Sequence, residues 1–250
     1  MNWLLLRGLG RERRHWHDFP ELLAAGVAPS RVHLVDLAGA GTEFRRLPLP
    51  SVPWLARDVA RRLAALSAPH SAPWSLIGLS LGGMVALELC KLMSQRIARA
   101  VIVNSSSRVT APSARLRLSS ARQLGTVLSS GSALERESAL LALTSRLPEA
   151  ERRRYALLGA RFYAQAPMSR LALSGQFAAA ARFAPPSPRA VSARLLFLSS
   201  RCDTLVNPVC TRDLARLYAA ESDEHAWAGH DLALDDPGWL CQRVLRFAAG

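Results

Sequence analysis

Within the stretch from Trp74 to Leu92 a serine is held between glycines, Gly78-Leu79-Ser80-Leu81-Gly82, followed by Gly83. The residues before it, Trp74-Ser75-Leu76-Ile77, form a short apolar run that reads as a buried strand, and Met84 to Leu92 reads as a helix. Ser80 therefore stands at a strand-to-helix turn. So sharp a turn forces the serine backbone into strained dihedrals, and a side chain two residues to either side would collide with the adjoining strand or helix. The same pattern also suits a glycine-rich turn with Ser80 as a helix N-cap, so its meaning depends on the rest of the chain.

Apolar strands recur around this turn. Trp3 to Leu6 runs into Arg7-Gly8-Leu9-Gly10, and Val32 to Leu37 into Ala38-Gly39-Ala40-Gly41. Ala100 to Val103 ends at Asn104, Ala193 to Ser200 leads into Arg201-Cys202-Asp203, and His225-Ala226-Trp227 reads as a last short strand before Ala228-Gly229-His230-Asp231. Amphipathic helices lie between them, for example Ser51 to Leu66 with Val52, Leu55, Val59 and Leu63 at three-to-four-residue spacing. Apolar strands alternating with such helices imply an α/β fold, a mostly parallel central sheet with helices on both faces, with ligands bound beyond the carboxyl ends of the strands. From 107 to 190 the alternation stops and the composition is helical, so this stretch is expected to be a cap inserted over a core made of 1–106 and 191–250. Trp16, Phe162, Tyr163, Met168 and Phe177 are its candidate pocket lining, or simply packing residues. His15 and His17 read as solvated side chains.

Half of the 250 residues are hydrophobic, enough for one large domain. No apolar run approaches the roughly 20 residues of a membrane span, and Arg7 interrupts the first one before it could serve as a signal core, so a cytoplasmic location is expected. Cys90, Cys202, Cys210 and Cys241 lack paired spacing, which points to reduced thiols rather than disulfides or a metal site. The net charge of +13 comes almost wholly from arginine, Lys91 being the sole lysine. These arginines are scattered and form no basic stripe interleaved with aromatics, which argues against nucleic acid and leaves an acidic substrate or partner as the better match. Gly39-Ala40-Gly41 lacks the third glycine of a dinucleotide fingerprint where Phe44 stands, and no cofactor is expected.

A serine hydroxyl becomes a competent nucleophile when a base takes its proton, and the base works best when a carboxylate fixes its tautomer. Ser80, Asp203 and His230 supply these parts in that order, the last two just past apolar strands. His225 is a rival base placed inside a strand; Asp223, Asp231, Asp235 and Asp236 are rival acids in less suitable positions.

With these residues the sequence resembles the α/β-hydrolases over essentially its whole length. Their nucleophile elbow is matched by Gly78-Leu79-Ser80-Leu81-Gly82, their acid by Asp203 and their histidine by His230. Their D-x-P-G-x-G segment is matched by Asp36 to Gly41 with Ala38 in place of proline, and their H-G-x-G loop by Arg7-Gly8-Leu9-Gly10 with arginine in place of histidine. The resemblance implies a serine hydrolase that cleaves a carboxylic ester through an acyl-enzyme, with the N–H groups of Leu9 and Leu81 as oxyanion hole. The substrate would be a small-molecule ester, with a methyl ester or thioester carried on an acidic carrier protein as the alternative; an inert receptor is the rival of another class. Arg7 would meet a substrate anion or an internal carboxylate.

Overall fold

The computed structural model of the protein describes residues 2–29, 31–66 and 73–250. Six parallel strands form one sheet in the order β2-β1-β3-β4-β5-β6. They are β1 (Asn2–Leu6), β2 (Arg31–Val35), β3 (Trp74–Leu79), β4 (Ile97–Val103), β5 (Arg194–Ser200) and β6 (Glu221–His225). Between them run α1 (Phe19–Gly26), α2 (Val52–Leu66) and α3 (Leu81–Leu92). Five helices separate β4 from β5: α4 (Pro112–Arg115), α5 (Leu118–Ser129), α6 (Ala133–Thr144), α7 (Glu149–Gln165) and α8 (Arg170–Arg182). The chain continues with α9 (Val209–Leu217), α10 (Leu232–Asp235) and α11 (Pro237–Ala249).

Because side chains alternate along a strand, every central strand contributes to two cores. Leu4, Leu6, Leu76, Ala100, Ile102, Leu195 and Phe197 face α2, α3 and α9 on one side. Trp3, Leu5, Ile77, Leu79, Val101, Val103, Leu196 and Leu198 face α1 and α11 on the other. The near-continuous apolar character of β1, β3, β4 and β5 follows from burial on both faces.

The last strand differs from the sequence expectation. It spans Glu221–His225 rather than His225 to Trp227, and it is a polar strand at the edge of the sheet, paired with β5 alone. One exposed edge removes the requirement for apolar residues that made the central strands visible.

The strand order reverses at β1: the chain passes from β1 to β2 on one side and returns to β3 on the other. The carboxyl ends of β1 and β3 at such a reversal are where open α/β sheets bind ligands. Ser80 follows β3 at this point, and Gly8 follows β1.

Candidate active site

Ser80 has φ 58° and ψ −118°, a left-handed conformation that costs a non-glycine residue free energy and persists only when the surroundings impose it. Those surroundings are glycines. A Cβ on Gly82 would fall on the Leu6 and Arg7 carbonyls, and one on Gly78 on the Gly82 backbone. The turn can thus be tight enough to leave the Ser80 side chain half-buried at the top of the sheet. Gly8 lies directly against it, its position for a Cβ only 3.1 Å from Ser80 Cβ.

His230 is buried, and its Nδ1 lies 2.7 Å from Asp203 Oδ2. The other carboxylate oxygen, Oδ1, accepts the N–H groups of Leu205 and Val206 at 2.8 and 2.9 Å, which fixes the carboxylate plane. A carboxylate partner places the imidazole proton on Nδ1 and leaves Nε2 free to accept one. Burial disfavours the imidazolium, but the charge and hydrogen bond of Asp203, with Asp231 adding to them and Arg7 opposing, hold the His230 pKa above the ordinary histidine value.

The rivals are engaged elsewhere. His225 Nε2 meets Asp236 at 3.1 Å, and its Nδ1 accepts from the Ala228 N–H. Asp235 accepts from Ser145, Arg146 and Gly229, Asp223 pairs with Arg243, and Asp231 pairs with Arg7. Arg7 thus meets an internal carboxylate.

Two residues whose roles were not apparent from the sequence hold the loops in place. Asn104, also at positive φ (47°), donates from Nδ2 to Ser200 Oγ and the His230 carbonyl, both at 2.9 Å, and accepts the Ser200 N–H. It fastens the end of β5 to the histidine loop; its only signal in sequence is an asparagine after an apolar strand, a residue type that tolerates this backbone region. Gln176, fully buried on α8, accepts the Gly10 N–H at 3.0 Å and donates to the Ala38 carbonyl at 2.9 Å. The Gly10 donor is therefore taken, whereas among the described residues no hydrogen bond engages the N–H of Leu9 or Leu81.

Phe162, Tyr163 and Met168 line one cleft together with Gly10, His15 and Glu137, a cavity of about 20 Å³ beside the Gly8–Gly10 loop; Ser80 is not part of its lining. Trp16 does not line it. That ring is fully buried in the core, 5.4 Å from Phe19. Phe177 is 49% exposed and does not line it either. His15 is buried rather than solvated, and burial, with Arg11, Arg7 and His17, holds its pKa well below the usual value. His17 is lowered to about 4, chiefly by burial. Among the described residues no cluster of three His, Cys, Asp or Glu side chains could hold a metal.

The helices between β4 and β5 are anchored to this site at several points. Arg11 and Glu137 on α6 form a buried pair at 2.5 Å, and Glu137 has room because α7 carries Gly159 beside it. Just beyond α6, Arg146 donates to the Cys202 carbonyl and Thr204, while the Thr144 carbonyl accepts the Asp231 N–H at 2.8 Å. Removing one partner of a buried pair leaves an uncompensated charge at a cost of about 3–5 kcal/mol. Glu137→Ala is accordingly expected to lower the melting temperature by about 6–20 °C. A thermal melt displaced by less than about 2 °C would show that the Arg11 contact does not hold the helices to the core.

A sequence profile of the Alpha/beta hydrolase family matches residues 3–243. The chain belongs to the alpha/beta hydrolase family. A 104-residue segment is 38% identical to the pimeloyl-[acyl-carrier protein] methyl ester esterase of Aeromonas salmonicida, covering 41% of this hydrolase and 37% of that relative. The match therefore spans well under half the length of that relative. Among solved structures, the esterase RhEst1 from Rhodococcus sp. ECU1013 is similar over 100% of this chain and 90% of its own, with a TM-score of 0.79 and 20% identity. The enol-lactonase from Burkholderia xenovorans LB400 covers 100% and 92% with a TM-score of 0.77, also at 20% identity. At such identities the likeness concerns the fold. No helix among the described residues is long and apolar enough to cross a membrane.

Proposed function

We propose that this hydrolase cleaves carboxylic esters through an acyl-enzyme formed on Ser80, with His230 as base and Asp203 as its orienting acid. The observation that carries the reading is the 2.7 Å contact between His230 Nδ1 and Asp203, made at strand ends on the same side of the sheet as the strained serine. Ser80 Oγ attacks the acyl carbonyl as His230 Nε2 takes its proton. The N–H groups of Leu9 and Leu81, which no protein acceptor engages among the described residues, receive the oxyanion. His230 returns the proton to the departing alcohol, and water activated by the same imidazole then releases the acid. The helices of 107–190 act as a cap that excludes water from the acyl-enzyme. The four free cysteines fit a reducing cytoplasm.

A methyl ester on an acyl carrier protein is the second reading, favoured by the name of the Aeromonas relative and by the net charge of +13, which would steer an acidic carrier towards the enzyme. The test is a series of p-nitrophenyl esters of increasing chain length beside a carrier-bound methyl ester, with fluorophosphonate labelling of Ser80. Labelling without turnover of any ester would overturn the esterase reading, and no labelling would leave a ligand-binding protein. Cleavage of simple esters but not of the carrier-bound one would remove the carrier alternative.

A further inference from the structure

The serine that β3 presents and the histidine that follows β6 are held by loops far apart in sequence, and an ion pair bridges the loop beside the serine to the loop of the histidine. Arg7 follows β1 and immediately precedes Gly8-Leu9-Gly10, and Asp231 immediately follows His230. Arg7 Nη1 lies 3.0 Å from Asp231 Oδ1 and Nη2 2.5 Å from Oδ2, a two-pronged contact with side chains only 3% and 5% exposed. The guanidinium rests over the Trp16 ring at 4.9 Å, and the Asp231 backbone is tied to the Thr144 carbonyl, so neither partner is free to swing away.

Resting on the serine-hydrolase reading, we propose that Arg7 and Asp231 are a positioning pair that locks the oxyanion loop to the histidine loop. Two arguments carry it. A buried ion pair contributes little net stability over an apolar pair of the same volume, because desolvation offsets most of the attraction; its place between the two halves of the reaction machinery therefore calls for another role. A two-pronged arginine–carboxylate contact also fixes distance and plane together, which suits setting one loop against another.

The pair also acts on the base. The charged groups facing His230 are Asp203 from the loop after β5, Asp231 from its own loop and Arg7 from the loop after β1. Asp231 is in turn faced by Arg7, Arg11 and His17. Burial opposes its ionisation, but the charge and hydrogen bonds of Arg7, with Arg11 adding to them, hold its pKa below the ordinary carboxylate value. Asp231 and Arg7 thus push the histidine in opposite directions, and either one alone would displace it.

The test follows the His230 imidazole resonance against pH, which reports whether or not the protein turns over an ester. Asp231→Asn is expected to move the titration midpoint down and Arg7→Met to move it up, while the double variant returns it towards the wild type. Turnover in Asp231→Asn and in the double variant is expected to fall about 10- to 100-fold in kcat with little change in KM, the effect of loops displaced by a fraction of an ångström to 1 Å. Midpoints that stay put or move in the same direction in both single variants, or full kcat in the double variant, would overturn the proposal. Should Arg7→Met not fold, Asp231→Asn and the double variant decide it by the fall and recovery of the midpoint. Opposite midpoint shifts in the two single variants, beside a wild type that hydrolyses no ester, would support the coupling and sink the esterase reading separately.

Discussion

Ser80→Ala is expected to lower kcat on activated esters by a factor on the order of 10⁶, to the level left by binding and the oxyanion donors alone. It should do so without loss of fold. The Ser80 side chain makes no capping hydrogen bond to α3, and an alanine takes the same strained φ of 58° that the glycines around it impose. A melting curve within a few degrees of the wild type, beside abolished turnover and abolished fluorophosphonate labelling, separates loss of the nucleophile from loss of the protein. Retained hydrolysis in this variant would remove Ser80 from the reaction and with it the whole assignment.

Asp203→Asn should cost about 10⁴-fold in kcat. The amide can still accept the N–H groups of Leu205 and Val206 through its oxygen, which directs its NH₂ group at His230 Nδ1. That reverses the tautomer, putting the proton on Nε2, where the base must be empty. The pH profile should change as well. His230 must be neutral to accept the serine proton, so wild-type activity is present above its raised pKa and falls as pH drops through it. Burial already lowers that pKa; removing the Asp203 charge leaves less to oppose it, so the acid limb should move to lower pH. Stopped kcat/KM measurements across pH would show both effects, and a variant with near-normal kcat would give the acid role to another residue.

Part of the candidate site was legible because Ser80 and Asp203 lie just past strands with a strong apolar signal, whereas His230 was read against a strand expected at 225–227 that lies at Glu221–His225. Both of those apolar strands are buried on both faces and so apolar almost throughout, while the edge strand β6 is polar. The groups that hold them were less legible: an internal carboxylate was one of two partners expected for Arg7, but which one was not. Arg7 and Asp231 are 224 residues apart, and no periodicity links them. Glu137 and Gln176 are polar residues fully enclosed between the α6–α8 helices and the core; in sequence they resemble any solvent-facing position of an amphipathic helix. His15 and Trp16 were obscured differently: a run of arginines, Arg11 to Arg14, makes their surroundings look like surface, yet Arg11 is itself buried against Glu137.

The polar sequence that hid β6 has a use of its own. A strand at the end of a sheet offers unpaired backbone donors and acceptors that a second molecule could extend. Here the outermost strand is Glu-Ser-Asp-Glu-His, and Arg194, Arg243 and Arg201 form ion pairs with Glu221, Asp223 and Glu224 respectively. A copy approaching along this border would have to place its own strand beside a row of carboxylates and strip water from them. The property that makes the strand hard to recognise thus disfavours the pairing of another strand along this edge.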